Sequence, residues 1–541
     1  MLNNKNIYLT VGLIIASLVG FVIFFHSKKP RALVVPDNYK SIQSAMDAAK
    51  SGDTIFVKAG IYQEPTSISF KNGVRLIGEA TELVSIRTED ENARCVIHLK
   101  RCKNALIERV TIEFVAKQPY KVGQHGIYLE SSSAVINECY IRNMPSSGLY
   151  ATDSNLSLKK CLIEANKLNG LDFSGEAVIE QCVFSQNEKR GLAFGLGSTG
   201  TVLKSLFQNN KDDGITLNMS GPVTIRENTC VANGGNGINC FQIGLEMFKN
   251  KKTADTLKKM LEENAKKKQT KERNIIVSDN RCTLNLYNGI CLVGRVIGSV
   301  ENNICQQNGK SGIRVASPST DVKVLSNHCI QNFENGISFF ECTKGLAEKN
   351  ICERNQRVGI GLFKTEKDVI VKENWCRRNE ESGIYFARVN GSVARSNISS
   401  SNKQAGIILL TNTFAVAEKN NCYSNHWSGI HVMGDEITVS LKDNECTDNY
   451  PSGIFLSHGA SGTIENNRCE NNPWSGIAIR GVNTKPTLTS NTCKSNGAWG
   501  IVTWAGAEPT IEPDNTILGN GCGKIKSHNQ IDFGLYGRLF N

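Results

Sequence analysis

Cysteine is the residue of this chain best suited to metal binding, disulfide formation or nucleophilic attack, and it occurs 19 times between Cys95 and Cys522. No C-x-x-C pair occurs, which argues against zinc-ribbon and thioredoxin-like sites. From Cys230 onward most cysteines stand seven residues before a glycine that isoleucine follows. This regularity indicates small buried side chains rather than a reactive site, and we expect neither disulfides nor a metal site.

The glycines of this pattern mark a repeat of about 23 residues. Successive intervals are 21 to 24 residues, except for one of 52 between Gly237 and Gly289. Most cysteines also have an asparagine two residues before them and another three residues after them, as Asn467 and Asn472 flank Cys469. The glycines are Gly126, Gly148, Gly170, Gly191, Gly214, Gly237, Gly289, Gly312, Gly336, Gly359, Gly383, Gly406, Gly429, Gly453, Gly476 and Gly500.

The apolar pieces of each repeat, such as GIHV and GIFL, are short and rich in β-branched residues, which predicts strands. Asparagine and glycine between them indicate turns with left-handed backbone. Stacked repeats would bury columns of Ile, Val and Cys and align asparagine amides. Leucine-rich repeats need more leucine, and a left-handed six-residue helix needs a shorter period. The sequence therefore predicts an all-β, single-stranded right-handed parallel β-helix of about 18 coils, with parallel strands ~4.8 Å apart.

Ser399 and Phe207 replace the cysteine in two coils. In the early coils, the cysteines stand nine residues before the repeat glycine instead of seven, which predicts a looser turn there; these are Cys139, Cys161 and Cys182.

The sequence divides into four predicted segments: an anchor at 1–31, a cap with the first strands at 32–64, the β-helix repeats at 65–514 and a carboxyl-terminal cap at 515–541. In the second, Ile42, Ala45, Met46 and Ala49 follow helical spacing and predict a short helix that caps the first coil. The last segment would close the other end. The long interval holds a basic segment, 245–275, with apolar residues at helical spacing, which predicts a helical insertion that lies on a lipid surface, docks a partner or is simply solvated.

Residues 7–25 form an uncharged apolar run, which as a helix is ~28 Å long. No small-residue cleavage site follows, so we predict a retained single-pass membrane anchor rather than a signal peptide. Lys28, Lys29 and Arg31 follow the run, and the many unpaired thiols agree with a cytosolic location for the β-helix. The formal net charge of +11 lies largely in the basic segment, so no nucleic-acid partner is expected.

The phrase N-x-C-x-x-N-x-x-x-G-I resembles the repeats of the pectin-lyase-like superfamily, in particular those of bacterial NosD-type and eukaryotic F-box β-helix proteins. Residues 484–503, TKPTLTSNTCKSNGAWGIVT, are especially similar, and 34–64 resemble the openings of many such helices. The resemblance implies the right-handed parallel β-helix over about 500 residues. Many members of the superfamily cleave or modify acidic polysaccharides, so it also implies that a polysaccharide lyase, hydrolase or epimerase is an alternative function.

Motifs of the known enzymes are largely missing from this chain. The string GIYQE at 60–64 matches one in pectin methylesterases, but their later catalytic motifs do not follow, and the signatures of mannuronan epimerases and polygalacturonases are absent. Acidic residues on neighbouring early coils offer a candidate hydrolytic or Ca²⁺-binding patch, but their positions within the coil differ, and the sequence favours solvated surface charges instead. They are Glu130, Asp153, Asp172, Asp212 and Asp213.

Aromatic residues on the carboxyl-terminal coils give the stronger candidate site. Trp427 and Trp474 occupy the same position two coils apart, ~10 Å along the axis. Exposed rings at this spacing would stack on sugar rings or hold a protein partner, whereas the alternative is that they only cover the turns. The predicted binding residues, which lie near Phe455, are Trp427, His431, Tyr450, Trp474, Arg480 and Trp499.

The sequence therefore favours a membrane-anchored binding or scaffold protein for a glycan or protein partner. It does not decide whether the chain is an enzyme and leans against it. No cofactor is expected, and the catalytic residues of the alternative are not identified.

Overall fold

The computed structural model describes residues 30–88, 90, 92–114, 123–218, 220–242, 274–317, 321–365, 368–411 and 413–528. The described chain winds as an all-β solenoid in which neighbouring strands pair in parallel. Each complete coil supplies one strand to each of three ladders, which we name by their residues: the glycine ladder, the middle ladder and the cysteine ladder. One coil, for example, contributes Ile430–Met433, Thr438–Lys442 and Glu445–Thr447 in that order.

The glycine ladder begins at or just after the glycines of the repeat. Its strands are Ile68–Ser69, Cys95–Lys100, His125–Glu130, Leu149–Lys159, Leu171–Glu180, Leu192–Phe194, Ile215–Asn218, Ile238–Gln242, Ile290–Gly294, Ile313–Ala316, Ile337–Phe340, Ile360–Phe363, Ile384–Ala387, Ile407–Leu410, Ile430–Met433, Ser452–Ser457, Ser475–Arg480, Trp499–Trp504 and Gly523–His528.

The middle ladder shares the two long strands Leu149–Lys159 and Leu171–Glu180 with the glycine ladder. Its other strands are Ala32–Val35, Thr54–Val57, Arg75–Gly78, Ala105–Glu108, Ser133–Asn137, Thr199–Leu203, Val223–Arg226, Asn274–Ser278, Ile297–Glu301, Asp321–Leu325, Lys344–Glu348, Val369–Lys372, Asn390–Arg395, Phe414–Glu418, Thr438–Lys442, Ser461–Glu465, Lys485–Thr489 and Thr510–Ile511.

The cysteine ladder has 19 described strands, which gives about 19 turns where the sequence predicted about 18. Its strands are Gly60–Glu64, Val84–Thr88, Thr111–Glu113, Tyr140–Arg142, Leu162–Glu164, Val183–Ser185, Leu206–Gln208, Thr229–Val231, Arg281–Thr283, Ile304–Gln306, His328–Ile330, Ile351–Glu353, Trp375–Arg377, Ile398–Ser400, Asn421–Tyr423, Glu445–Thr447, Arg468–Glu470, Thr492–Lys494 and Thr516–Leu518.

The cysteines that precede the repeat glycines by seven residues form one buried file, as predicted. Cys230 pairs in register with Cys282, and the file continues to Cys493 with Ser399 in one place. Phe207 stands directly before Cys230 in the same file. All 19 cysteines are free, and only Cys522 is exposed.

The early cysteines occupy a different column, so the predicted looser turn was wrong. Ile141 and Ile163 hold the cysteine-file positions in their coils. Cys182 instead stands at the corner, where its backbone N–H donates to Ser205 Oγ at 3.1 Å and the Ser205 N–H donates to Asn228 Oδ1 at 2.9 Å. Cysteine therefore fills a corner position that asparagine fills in the later coils.

Two files of buried asparagines flank the cysteine file and run the length of the later coils. The Asn350 Nδ2 donates to the carbonyl oxygen of Val324 at 2.8 Å and to Asn374 Oδ1 at 2.9 Å. The same Oδ1 also accepts the Asn350 backbone N–H at 2.9 Å. The Asn350 amide thus satisfies buried polar groups of the coils on both sides.

The turn chemistry differs from the prediction. The left-handed residue is the one before each ladder asparagine, for example Lys349 with φ 56° or Arg354 with φ 53°. The repeat glycines are needed for space instead: a Cβ at Gly359 would lie 2.6 Å from the Gly383 carbonyl oxygen and 2.9 Å from Cys376 Cβ. Residue size, rather than glycine's backbone freedom, fixes these positions.

A short helix, Ile42–Ala48, covers the first coil with Ile42, Ala45 and Met46 buried. Ser41 is its N-cap and forms a capping box with Ser44. The buried Glu64 carboxylate accepts the backbone N–H groups of Ile42 at 2.7 Å and Gln43 at 3.2 Å. The GIYQE string therefore serves the helix amino terminus in this chain.

The fold class predicted from the sequence needs one correction. It combined the β-helix with an amino-terminal transmembrane helix, but among the described residues no helix is long and apolar enough to cross a bilayer. The one described helix has 7 residues and is ~10 Å long. Residues 7–25, on which the anchor prediction rested, lie outside the described part, as does almost all of the predicted insertion 245–275.

Candidate functional site

One column of side chains points outward along the glycine ladder and passes through both candidate regions. The apolar residues on either side of each member point inward, because side chains alternate across a strand. We call this file the outer column. Its members are His98, Tyr128, Tyr150, Asp172, Ala193, Thr216, Asn239, Cys291, Arg314, Ser338, Gly361, Tyr385, Ile408, His431, Phe455, Ala478, Val502 and Lys526.

At the carboxyl-terminal end, aromatic side chains gather on this column. The His431 ring stacks on Phe455 with centroids 4.8 Å apart and receives the edge of Trp427 at 5.2 Å. Phe455 stacks in turn on Trp504 at 5.8 Å, and Trp474 packs edge-on against Trp504 at 5.2 Å. We call Trp427, His431, Phe455, Trp474, Trp499 and Trp504 the aromatic platform.

The platform has two layers. Phe455 and Trp504 form the inner layer and are 9% and 4% exposed. Trp474 and Trp499 are half-buried against them, and Trp427 is 40% exposed at the edge. The inner layer holds the outer rings in place, so the outer rings offer a preorganised apolar surface with polar N–H edges.

The structure brings together four of the six predicted binding residues: Trp427, His431, Trp474 and Trp499. Arg480 is aligned with Trp504 on neighbouring strands, and Tyr450 is an exposed corner residue outside the ring contacts above. Sequence reasoning missed Trp504. Its position two residues after Val502, on the outward side of the same strand, was the available signal.

The electrostatics of the platform centre on His431. This ring is 5% exposed, and its Nε2 has no hydrogen-bond partner. Burial, together with the nearby His458, lowers the pKa of His431 to about 4. The imidazole is therefore neutral at physiological pH and acts as a polar aromatic ring in the stack.

At the amino-terminal end, the same column carries a second group, which we call the imidazole–tyrosine cluster: Arg94, His98, His125, Tyr128 and Tyr150. His98 stacks on Tyr128 at 5.0 Å, and His125 stacks on Tyr150 at 4.7 Å. The Arg94 guanidinium lies over the Tyr128 ring, 4.5 Å from its centroid. Tyr128 is thus held between a cation and an imidazole.

His125 is the buried base of this cluster. It is 8% exposed, and its Nδ1 has no hydrogen-bond partner. Burial lowers the pKa of His125 to about 4, which a hydrogen bond to the Ser147 backbone and the charge of Asp172 partly oppose. The Ser147 hydroxyl donates to Asp172 Oδ2 at 2.8 Å, which links the imidazole and the carboxylate through one residue.

The predicted acidic patch does not form as a set of paired carboxylates. Asp213 is buried and accepts hydrogen bonds from Thr216, Asn236 and Asn239, as a structural turn residue would. The other four do not pair with one another. Asp212 forms an ion pair with Arg190 at 3.2 Å, and Asp153 is an exposed left-handed residue. Glu130 lies 3.6 Å from His98, and Asp172 adjoins the imidazole–tyrosine cluster.

Comparison with known families identifies the fold. A family model for a right-handed β-helix region matches residues 72–216, 125–253 and 268–421. A second, for the periplasmic copper-binding protein NosD, matches residues 368–532. No curated protein sequence matches the chain.

Three solved structures are similar at low identity. A mutant of the periplasmic alginate epimerase AlgG is 13% identical, with a TM-score of 0.33 over 76% of this chain and 85% of its own. The A-module of Azotobacter vinelandii mannuronan C-5 epimerase AlgE4 is 15% identical, with a TM-score of 0.20 over 88% and 94%. The catalytic domain of a GH87 α-1,3-glucanase with nigerose is 8% identical, with a TM-score of 0.26 over 92% and 69%. These values carry no argument about activity.

The residues present do not fit a copper centre of the kind named for NosD. Apart from the exposed Cys522, the cysteines of the matched region stand in the buried file, and the described residues contain no group of three or more His, Cys, Asp or Glu that could hold a metal ion.

The comparisons also correct the predicted location. A single-pass membrane protein with a cytosolic β-helix was expected, but no helix in the described ranges could span a bilayer, and the NosD family is described as periplasmic. The three matches to the β-helix model together cover more than half of the sequence, and the three parallel ladders agree with them. This chain belongs to the right-handed β-helix family, with a fold of the pectin-lyase-like type.

Proposed function

We propose that the chain binds a glycan on the outer face of the glycine ladder and that the aromatic platform is the docking point. The observation that carries this proposal is the arrangement of Trp427, Trp474 and Trp499 as partly exposed rings over a buried aromatic layer. Rings fixed in this way lose little conformational freedom when a ligand stacks on them.

The regular coil also suits a polymer. Trp427 and Trp474 lie two coils apart, ~10 Å along the axis, so successive units of an extended chain can contact successive coils. Arg480, beside Trp504 in the ladder, adds a donor next to the rings. A protein partner would use the same rings as anchors, and it is the outcome to expect if no glycan binds.

Replacing Trp427 or Trp474 with alanine should weaken binding of a matching oligosaccharide by about tenfold, because each substitution removes one of the partly exposed stacking surfaces of the site. The full chain would be titrated against a glycan array and then against the selected oligosaccharide. Trp375→Ala is the matched control, since Trp375 lies on the cysteine ladder under Arg377 and away from the platform. Equal affinity losses in the three variants would contradict the proposal.

A second candidate function is proton transfer on an acidic glycan, which the imidazole–tyrosine cluster favours. The neutral His125 has a buried, unpartnered Nδ1 able to accept a proton. Arg94 is exposed beside Tyr128 and can neutralise a sugar carboxylate. A base next to a cation suits removal of the proton from the carbon adjacent to that carboxylate, the step that opens β-elimination or epimerisation.

If this second function is present, the chain should form unsaturated products or exchange solvent deuterium into an acidic polysaccharide. His125→Gln should reduce that rate by about 10²-fold or more, because general base catalysis is lost. His328→Gln, on the cysteine ladder, is the control variant. Absence of product and of exchange with every acidic polysaccharide tested would leave the binding function alone.

A further inference from the structure

A shallow groove of about 860 Å³ runs along the corner where the cysteine ladder turns into the glycine ladder. It lies outside the outer column and crosses several successive coils. One wall is built from the left-handed corner residues, among them Gln331, Arg354 and Arg378, with φ of 54°, 53° and 55°. Each of these precedes a ladder asparagine, so the Asn332, Asn355 and Asn379 amides fix the backbone under the wall.

The charges of this wall differ from those of many stacked pairs elsewhere on the solenoid. Where charged residues stack on neighbouring coils, they often alternate in sign and form ion pairs, such as Glu353 with Arg377 at 2.7 Å and Glu445 with Arg468 at 2.9 Å. Arg354 and Arg378 instead stack one coil apart, since the Arg354 N–H donates to the carbonyl of the residue before Arg378. Like charges at this ~4.8 Å spacing repel each other.

No acidic side chain of the described residues neutralises this pair. The carboxylate that lines the groove, Glu380, is already bonded to Lys403. Gln331 and Ser401 flank the two arginines in the column and are neutral. The groove therefore presents two adjacent guanidinium groups whose repulsion an anionic ligand would relieve.

The rest of the lining resembles a surface for sugars rather than for bare phosphate. Phe333 is 55% exposed and offers a ring face, and Gln356 offers an amide to ligand hydroxyls. His426, at the far end of the groove, directly precedes Trp427, the first ring of the aromatic platform. The groove and the platform thus adjoin at a single coil.

We propose that this groove binds the carboxylate or sulfate groups of an anionic oligosaccharide through Arg354 and Arg378, while the continuing chain reaches the aromatic platform. The inference rests on the proposed glycan-binding function and adds its charge class. The proposed anion-binding site lies at the corner between the cysteine and glycine ladders, beside the aromatic platform and away from the imidazole–tyrosine cluster.

The test compares the full chain with the double variant R354Q/R378Q. Glutamine already occupies this corner at Gln307 and Gln331, so the fold accepts it there. The ligands are an oligogalacturonate, a sulfated oligosaccharide and a neutral oligosaccharide of equal length. We expect affinity for at least one charged ligand to fall about tenfold, and affinity for the neutral one to stay within about twofold. R354K/R378K should keep part of the charged affinity, since it keeps the charge without the planar fork.

Arg388→Gln is the matched control, because Arg388 is also an exposed left-handed arginine, with φ 55°, on a different corner. Equal effects of R354Q/R378Q and R388Q would overturn the inference. The inference would also be overturned if inorganic polyphosphate competed for the groove as well as the charged oligosaccharide does, because the groove would then recognise negative charge alone. If the charged ligand binds Trp427→Ala as tightly as it binds the unchanged chain and still depends on the two arginines, the result would support the groove and contradict the platform. If only the neutral ligand binds, and R354Q/R378Q does not change its affinity, the result would support the platform and contradict the groove.

Discussion

Replacing Asn350 with alanine is expected to lower the free energy of unfolding by about 3–5 kcal/mol. The Asn350 side chain accepts the backbone N–H and the Nδ2 of Asn327 at 2.9 and 3.0 Å, and donates to Val324 and Asn374. Alanine leaves these groups buried without their protein partner at a position that is 0% exposed. A buried polar group that loses its partner costs about 1–3 kcal/mol.

Urea unfolding of Asn350→Ala would be followed by circular dichroism together with amide hydrogen exchange, because a long repeat array need not unfold as one unit. Asn390→Ala is the matched control: Asn390 is exposed on a middle-ladder strand and should change stability by less than about 0.5 kcal/mol. Loss of exchange protection should centre on the coils of Asn327 and Asn374. Indistinguishable midpoints for the two variants would show that the asparagine file does not stabilise the stack.

Much of this fold could be predicted from spacing alone. A period of about 23 residues with short β-branched strands leaves few architectures, and the cysteine file follows from it, including the replacement by Ser399. The role of individual turn residues could not be predicted. Glycine and asparagine are common at left-handed positions, yet at Gly359 a neighbouring carbonyl excludes any Cβ, and the left-handed residue beside Asn355 is Arg354.

The sites were predictable to different degrees. Trp427 and Trp474 share a repeat position, so their proximity follows from the period. Trp504 belongs to another position, from which it packs directly against Trp474 and stacks on Phe455. The imidazole–tyrosine cluster was missed, although Tyr128 and Tyr150 share a repeat position, because Arg94 and His125 stand at other positions of their coils. His125 and Tyr150 meet only because their strands neighbour each other in the glycine ladder.

The two histidines with lowered pKa values place both candidate sites under the same pH constraint. His125 and His431 lie on opposite ends of one face, and each is a neutral ring buried among other aromatic groups. Protonation would put a charge into an apolar stack without a carboxylate bonded to the ring. Ligand binding at either end should therefore require the neutral imidazole.

Acidification is expected to destabilise the chain between pH 6.5 and 4, and replacing His431 with phenylalanine should remove part of that loss. The pKa of His431 is about 4 in the folded chain, against a usual value of 6.5, so the unfolded chain binds the proton more tightly. The stabilisation is complete above pH 6.5 and declines as the pH falls towards 4, by up to about 3 kcal/mol.

Unfolding free energies at pH 7, 5.5 and 4 would measure this decline, with His426→Phe as the exposed control next to Trp427. A difference between wild type and His431→Phe that stays constant with pH would contradict the assignment, because the neutral ring would then contribute packing alone.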